Sequence, residues 1–372
     1  MSDHVKLSEV CEILNSNVDK KTKENEQKVK LCNFIDVYNN WAVTKYTSKK
    51  FMTATATQNE INKFSLKKGY VAITKDSETK DDIGVSTYIA DNFDNVLLGY
   101  HCTLLKPNQK VLNGKFLNAY LSSFYGRKYF SNCASGSGQR YTLTIDIIKD
   151  LTIPLINIET QQKIARTLSI LDQKIENNRK INELLHTLAY KIYEYYFKYK
   201  PKNAKLEQII IENPKSSIMV KNAQKTQDKY PFFTSGDNIL SYPKAIIDGR
   251  NCFLNTGGNA GIKFYVGKAS YSTDTWCICA NEFSDYLYLL LSSIKTHINQ
   301  SFFQGTSLKH LQKNLLKKYP IYMPSAHEIK KFNQIIMPLL TLISINTRTS
   351  KKLEQIRDFL LPLLLTQQVK PK

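Results

Sequence analysis

The sequence predicts an α+β chain built as a pseudo-twofold tandem repeat, in which two mixed α/β domains are separated by two long antiparallel coiled-coil helices. Three observations carry this. A helical pattern runs unbroken from Asn157 to Phe197, its seam positions recur 168 residues later, and the remaining segments alternate short apolar runs with Gly-, Asn- and Lys-rich turns.

Ile164, Leu168, Leu171, Ile175, Asn178, Asn182, Leu185, Ala189, Ile192 and Tyr196 follow one another at spacings of four and three, the pattern that lays one stripe of an α-helix against a partner helix. At about 1.5 Å per residue this helix spans roughly 60 Å, more than an ordinary domain covers. Its partner is in the same chain: adding 168 gives Phe332, Ile336, Leu339, Ile343, Asn346, Ser350, Leu353, Arg357, Leu360 and Leu364. Upstream, Leu143, Ile147, Ile148, Leu151 and Ile153 map onto Leu311, Leu315, Leu316, Tyr319 and Ile321, and the N-cap positions Asn157 and Ser325 coincide. Glu328, three residues after Ser325, completes a capping box. A self-similarity of this length outweighs any short motif as a guide to architecture.

The residues expected to pair the helices are Ile164, Leu168, Leu171, Ile175, Asn178, Leu185 and Ile192 with Ile336, Leu339, Ile343, Asn346, Leu353 and Leu360. Asn178 and Asn346 are equivalent, and in an antiparallel pair they are expected to meet near the pseudo-twofold axis; a polar residue in an apolar seam fixes register at a cost in stability. The alternative is that both face solvent. Pro338 removes a backbone donor inside the second helix, which predicts a kink or a fresh start there, and Pro362 is expected to end it.

The domain boundaries expected are 1–152 for the first domain, 153–200 for the first spacer helix, 201–320 for the second domain and 321–372 for the second spacer helix. In the first domain, Val5 to Leu14 reads as a short amphipathic helix and the Lys-rich stretch Asn15 to Lys30 as a loop. Gly69-Tyr-Val-Ala-Ile-Thr and Asn95 to Leu105 read as strands, with the charged loop from Lys75 between them. A helix follows from Gly114 to Phe130, then the run Ala134-Ser-Gly-Ser-Gly-Gln-Arg-Tyr. Lys205-Leu-Glu-Gln-Ile echoes Lys6-Leu-Ser-Glu-Val, so both domains open on a related short helix. The body of the second differs, with strands and Gly/Asn turns up to a helix near Tyr286 to Ser301.

A formal charge of +20 points to a polyanionic partner, of which nucleic acid is the commonest. The bland reading is an AT-rich coding bias, since 45 Lys stand against 7 Arg. Seven scattered cysteines without a Cys-x-x-Cys pair suggest reduced thiols and a cytoplasmic protein rather than a disulfide framework or a zinc site; Cys277 and Cys279 alternate as on one strand face. The polar N-terminus lacks a signal core and the greasy run Phe359 to Leu365 is too short to span a bilayer, so no membrane association is expected.

Gly257-Gly-Asn-Ala-Gly-Ile-Lys is not a P-loop, because Ile stands where the loop needs Lys after the last Gly; Gly136-Ser-Gly lacks a third glycine for dinucleotides. His4, His101, His186, His297, His310 and His327 show no metal-ligand spacing. Neither the Pro-Asp…Glu/Asp-x-Lys pattern of a metal-dependent nuclease nor the Asn-Pro-Pro-aromatic of an amino-methyltransferase occurs. What remains is a binding chain, and two readers on a rigid spacer suit half-sites about one turn of B-DNA apart.

Ile153-Pro-Leu-Ile-Asn-Ile-Glu-Thr-Gln-Gln-Lys-Ile, its counterpart Pro320-Ile-Tyr-Met-Pro-Ser-Ala-His-Glu-Ile-Lys-Lys-Phe, and the lead-ins Ser135-Gly-Ser-Gly and Gln304-Gly-Thr resemble those of the specificity subunit of a type I restriction-modification system. So do the loops Ile73-Thr-Lys-Asp-Ser-Glu-Thr and Tyr230-Pro-Phe-Phe-Thr-Ser-Gly. Pro338, and Ile329 where the pattern has Gln, depart from it. The resemblance implies two DNA target-recognition domains in inverted orientation, each reading half of a bipartite site in double-stranded DNA. It implies helices that dock two methyltransferase subunits and, through them, restriction/translocase subunits. It implies no active site or cofactor on this chain, with S-adenosylmethionine, ATP and Mg on the partners.

Arg and Lys read guanine edges, Asn and Gln read adenine, and Ser, Thr and Lys hold phosphates. The DNA-binding candidates are therefore Lys75, Ser77, Thr79, Lys80, Gln139, Arg140 and Tyr141 in the first domain, and Ser235, Asn238, Arg250, Asn255, Asn259, Lys263 and Thr273 in the second. A solvated loop is the default for such residues. Two other classes stay open: a coiled-coil scaffold binding protein partners only, and a nuclease or methyltransferase with an unrecognised site.

Overall fold

The computed structural model describes residues 3–136, 140–223, 229–236 and 239–371. The chain divides into two compact units, Met1–Gln173 with Ile356–Lys372, and Lys174–Gln355. Each unit therefore holds a mixed α/β body, a piece of the first long helix and a piece of the second.

In the first unit a five-stranded sheet runs in the order Cys11–Asn15, Cys102–Pro107, Val71–Thr74, Ser86–Ile89, Ala42–Val43, antiparallel except for the last pair. Beside it Gln27–Cys32 pairs with Met52–Ala56 and with Val96–Leu98. Val5 to Leu14 is not a helix. Asp3–Lys6 and Cys11–Asn15 are strands with one helical turn, Leu7–Val10, between them, because pairing with Thr152–Leu155 and Cys102–Pro107 overrides a weak helical periodicity. Likewise Gln27–Cys32 takes part of the expected loop. The run Asn95 to Leu105 breaks at Gly99, where the Cys102 N–H donates to the Gly99 carbonyl at 3.1 Å, so its two halves enter different sheets. Gly114 to Phe130 is two helices, Gly114–Ser122 and Phe124–Cys133, parted at an extended Ser123 whose hydroxyl donates to the Tyr120 carbonyl at 2.6 Å.

The second unit carries an antiparallel sheet in the order Ile211–Glu212, Thr275–Cys279, Arg250–Asn255, Ile262–Val266 and a three-stranded sheet around Tyr230–Phe233. The helix expected near Tyr286 to Ser301 is likewise two, Ser284–Ser293 and Lys295–Ser301. Phe197, Tyr286 and Phe332 stack edge to face in the core, with ring centres 4.9 and 5.2 Å from Phe197. The opening frames of the two bodies correspond. Lys6 pairs with Thr152 and Lys205 with Pro320. The Leu7 N–H donates to the Leu151 carbonyl at 2.8 Å and the Leu206 N–H to the Tyr319 carbonyl at 2.9 Å. One equivalent position is filled in two ways: buried Gln161 donates to the Val111 and Ile156 carbonyls, whereas Ile329 packs in an apolar cluster.

The first long helix is Ile158–Tyr193, closed by a π-helical turn over Glu194–Lys198. Asn157 caps it, accepting from the Thr160 N–H at 2.8 Å. The second, Ala326–Leu365, starts on the expected capping box: the Ser325 N–H donates to Glu328 at 2.9 Å and the Glu328 N–H to the Ser325 hydroxyl at 3.3 Å. All the expected pairing residues are buried or partly buried. In the first unit Ile164 and Leu168 share a cluster with Leu361, Leu364 and Leu365. In the second, Ile336 and Ile343 share one with Ala189 and Tyr193, against which Leu185, Ile192 and Leu339 pack.

Asn178 does not meet Asn346. The Asn178 amide donates to the Ser350 hydroxyl at 3.1 Å and the Asn346 amide to the Asn182 side-chain oxygen at 2.9 Å. Positions rise along one helix as they fall along the other, so the pair is antiparallel. The offset that carries Asn178 to Asn346 also carries Asn182 to Ser350, so the two bonds are copies of one another. Equivalent residues meet only at the centre of such a pair; here the centre lies level with Lys180 and Arg348, midway between the two rungs, and each Asn reaches a residue one turn beyond its twin.

Neither proline interrupts the second helix: it does not begin afresh at Pro338 or end at Pro362. The second helix is continuous through Pro338, where Ile336 and Leu340 are buried and Arg250 grips the same turn, donating to the Met337 carbonyl at 3.2 Å and the Thr341 hydroxyl at 2.9 Å. Past Pro362 it continues to Leu365, with Leu364 and Leu365 buried. Arg250 also forms a forked pair with Asp285, at 2.6 and 2.5 Å, with side chains 17% and 2% exposed. As a DNA-binding candidate it is therefore corrected: its donors tie the sheet to the helix Ser284–Ser293 and to the second long helix. Burial pushes the Asp285 carboxyl upward and Arg250 opposes this. Arg250→Met should cost about 3 to 5 kcal/mol by stranding that charge, and adding Asp285→Leu should restore most of it. Urea unfolding checks this, and an Arg250→Met variant as stable as the natural chain would refute it.

In the first unit Arg357 reaches Asp172 at 3.3 Å, while the second Asp172 oxygen is buried without a hydrogen-bond partner among the described residues. Burial pushes this carboxyl up to about 6, against the pull of Arg357. The folded chain then holds a proton there that the unfolded chain has released above about pH 4, so stability falls as pH rises from about 4 to about 6. Asp172→Asn should gain on the natural chain across that window by about 2 to 3 kcal/mol in urea titrations at stepped pH. A pH-independent difference would contradict the assignment.

Candidate nucleic-acid interface

The first-domain candidates come from two stretches far apart in sequence. Lys75 precedes and Ser77 ends the short strand Asp76–Ser77, which pairs with Tyr141–Thr142, itself paired with Ser135–Gly136. The ladder continues as the Leu143 N–H donates to the Lys75 carbonyl at 2.8 Å. Gly136 is required, since a Cβ there would lie 2.2 Å from the Arg140 carbonyl.

Lys75, Ser77, Thr79, Lys80, Arg140 and Tyr141 are thus gathered on one small sheet and its loop. The Lys75 ammonium sits 4.6 Å from the Tyr100 ring centre and the Lys80 ammonium 5.6 Å from that of Tyr141, close enough for cation–π attraction. The Thr79 hydroxyl donates to Asp82 at 3.0 Å. Gln139 lies outside the described residues. Sequence reasoning missed Asp76, Tyr100 and His101. Asp76 faces Arg140 Nη2 at 3.3 Å and His101 Nδ1 at 2.8 Å, and the His101 ring packs edge-on to Tyr100. The signal available was Gly99-Tyr-His, an aromatic, polar interruption of an apolar run.

In the second domain the candidates gather at the ends of Arg250–Asn255 and Ile262–Val266, yet several are turned inward. The Lys263 ammonium donates to the Thr234 carbonyl at 2.8 Å and to Asn255 at 3.2 Å, and the buried Asn255 amide donates to the Asn259 carbonyl at 3.1 Å. Together they shape the loop that Gly257 and Gly258 open. The Ser235 hydroxyl donates to the Asp274 carbonyl and accepts from the Thr256 N–H at 3.2 Å. The Thr273 N–H donates to the Ile218 carbonyl at 3.0 Å. The Asn259 side chain is exposed, Arg250 stands apart in its clamp, and Asn238 lies outside the described residues.

Among the described residues no three His, Cys, Asp or Glu side chains are grouped to hold a metal ion, and no helix is long and apolar enough to cross a membrane. The first surface offers cations braced on aromatic rings. The second offers a turn shaped by Lys263 and Asn255, with the Asn259 side chain exposed. Both suit recognition of a polar, anionic surface.

Residues 2–186 and 202–355 each match the family model described as the type I restriction modification DNA specificity domain. The chain is 24% identical over 341 residues to the type I restriction enzyme MjaIX specificity subunit of Methanocaldococcus jannaschii, covering 80% of this chain and 74% of that protein. It is 30% identical over 149 residues to the HindI specificity subunit of Haemophilus influenzae, covering 40% of this chain and 32% of that one. In fold it is similar to the crystal structure of a type I restriction-modification S subunit from M. genitalium, with a TM-score of 0.57 at 16% identity over 98% of this chain and 96% of the other. Two matches in tandem, on bodies of unlike sequence behind equivalent helices, identify the chain as a member of the family of type I restriction-modification DNA specificity domains.

Proposed function

We propose that this chain is the DNA-specificity subunit of a type I restriction-modification complex, each of its two domains reading one half of a bipartite duplex site. The observation that carries this is the tandem family match, one copy along each half of the chain. The long helices dock two methyltransferase subunits and, through them, restriction subunits. The chain itself performs no catalysis; S-adenosylmethionine, ATP and Mg belong to its partners, and the complex works in the cytoplasm. A formal charge of +20 supplies the non-specific attraction that brings the chain to DNA, and the divergent loops supply the choice of sequence.

Of the candidates, Lys75 and Lys80 are the phosphate contacts, being cations steadied on tyrosine rings; Ser77, Thr79, Arg140 and Tyr141 lie with them. In the second domain Ser235, Asn259 and Thr273 face the DNA, while Asn255 and Lys263 set the loop's shape.

Mapping methylated adenines in cells with and without the gene should reveal one bipartite motif that vanishes with the gene. Persistence of every methylated motif after its loss would contradict the reading. With the methyltransferase partner present, Lys75→Ala and Lys80→Ala should each lower the slope of log affinity against log salt by about 1 without changing the preferred sequence. An unchanged slope would remove that lysine from the interface.

A further inference from the structure

We propose that Arg140 reads a guanine in the half-site of the first domain, and that Asp76 and His101 are positioning residues that hold its guanidinium for that contact. This deepens the reading of the chain as a DNA-specificity subunit and rests on it.

Arg140 leaves the small sheet just before Tyr141, and its side chain is 56% exposed, whereas that of Asp76 is only 15% exposed. A surface arginine normally samples many rotamers and loses that freedom on binding. This one is tethered. Its Nη2 lies 3.3 Å from Asp76 Oδ2 and 2.9 Å from His101 Nδ1. The same Asp76 oxygen is 2.8 Å from His101 Nδ1. One ring nitrogen cannot donate to Asp76 and accept from Arg140 at once. With the proton on Nδ1, His101 donates to the carboxylate, and Arg140 is held by the charge of Asp76. The backbone completes the frame: the Lys75 N–H donates to the His101 carbonyl at 3.1 Å, and Asp76 is in register with Thr142.

Among the described residues no partner takes Arg140 Nε or Nη1, and Asp76 takes only one of the two Nη2 hydrogens, so the other Nη2–H and the Nη1–H or Nε–H beside it on the same edge stay free as a fork. Two N–H groups in a fixed fork match the O6 and N7 acceptors of guanine in the major groove. The carboxylate also discriminates between ligands. Beside a phosphate, Asp76 would repel the anion it sits next to and weaken the contact. Against a neutral base edge that repulsion is absent, and fixing the fork reduces the entropy lost on binding. Lys75 and Lys80, braced on Tyr100 and Tyr141, remain for the flanking phosphates.

The test is selection of bound duplexes from a randomised library by the chain with its methyltransferase partner, at fixed salt. Arg140→Ala should abolish preference at one G·C pair of one half-site, a loss of roughly 5- to 150-fold in discrimination there, and leave the other half-site unchanged; that unchanged half also shows that the variant is folded. Arg140→Lys should keep affinity but not discrimination, since a point charge lacks the fork. Asp76→Asn should blunt preference at the same pair while raising affinity for unrelated DNA, and His101→Gln should retain more preference than His101→Ala. If Arg140→Ala keeps every base preference and only weakens binding with a shallower salt slope, Arg140 is a phosphate contact and the proposal is overturned. A natural chain that selects no sequence at all would instead overturn the DNA-specificity reading on which it rests.

Discussion

Two hydrogen bonds at the middle of the helix pair, Asn178 to Ser350 and Asn346 to Asn182, constrain everything else in this chain. Apolar seams tolerate sliding, because a leucine one turn along packs nearly as well. Amides do not, since a shifted register leaves them facing hydrocarbon with nothing to bond, at about 1 to 3 kcal/mol for each stranded group. The two rungs therefore select one alignment, and the duplication ensures that fixing one rung fixes its copy.

A fixed register lets the rest of the sequence diverge. The frames that join each body to its helix are kept, as the matched pairings of Lys6 with Thr152 and Lys205 with Pro320 show, while the loops those frames carry have little in common. One body presents lysines braced on tyrosines and a tethered arginine. The other presents a glycine-opened turn tied down by Lys263 and Asn255. Recognition chemistry can vary on such a frame without disturbing the seam, which suits a chain whose task is to choose among sequences.

The long helices were legible in the sequence because burial along them is periodic and because two copies could be checked against each other; the capping box at Ser325 was legible because it is local chemistry. Less local choices were not. The two ends of Val5 to Leu14 became strands through partners such as Thr152 and Leu104 that no local pattern announces. Pro338 and Pro362 left the second helix intact because packing, and at Pro338 the grip of Arg250, outweighs one missing donor. Of the candidate interface, composition located the loops but not the direction of each side chain. Arg250 and Arg140 look alike as letters, yet one is paired with a buried carboxylate inside the core and the other sits half in solvent beside Asp76 and His101.

The register is tested most directly by disulfide trapping. In a chain whose native cysteines are replaced, Cys placed at positions 178 and 350, or at 182 and 346, should form an intramolecular disulfide under mild oxidation, while Cys at the exposed positions 184 and 342 should not. Trapping at neither seam pair, or links forming only between separate molecules, would contradict the antiparallel pair and the account built on it.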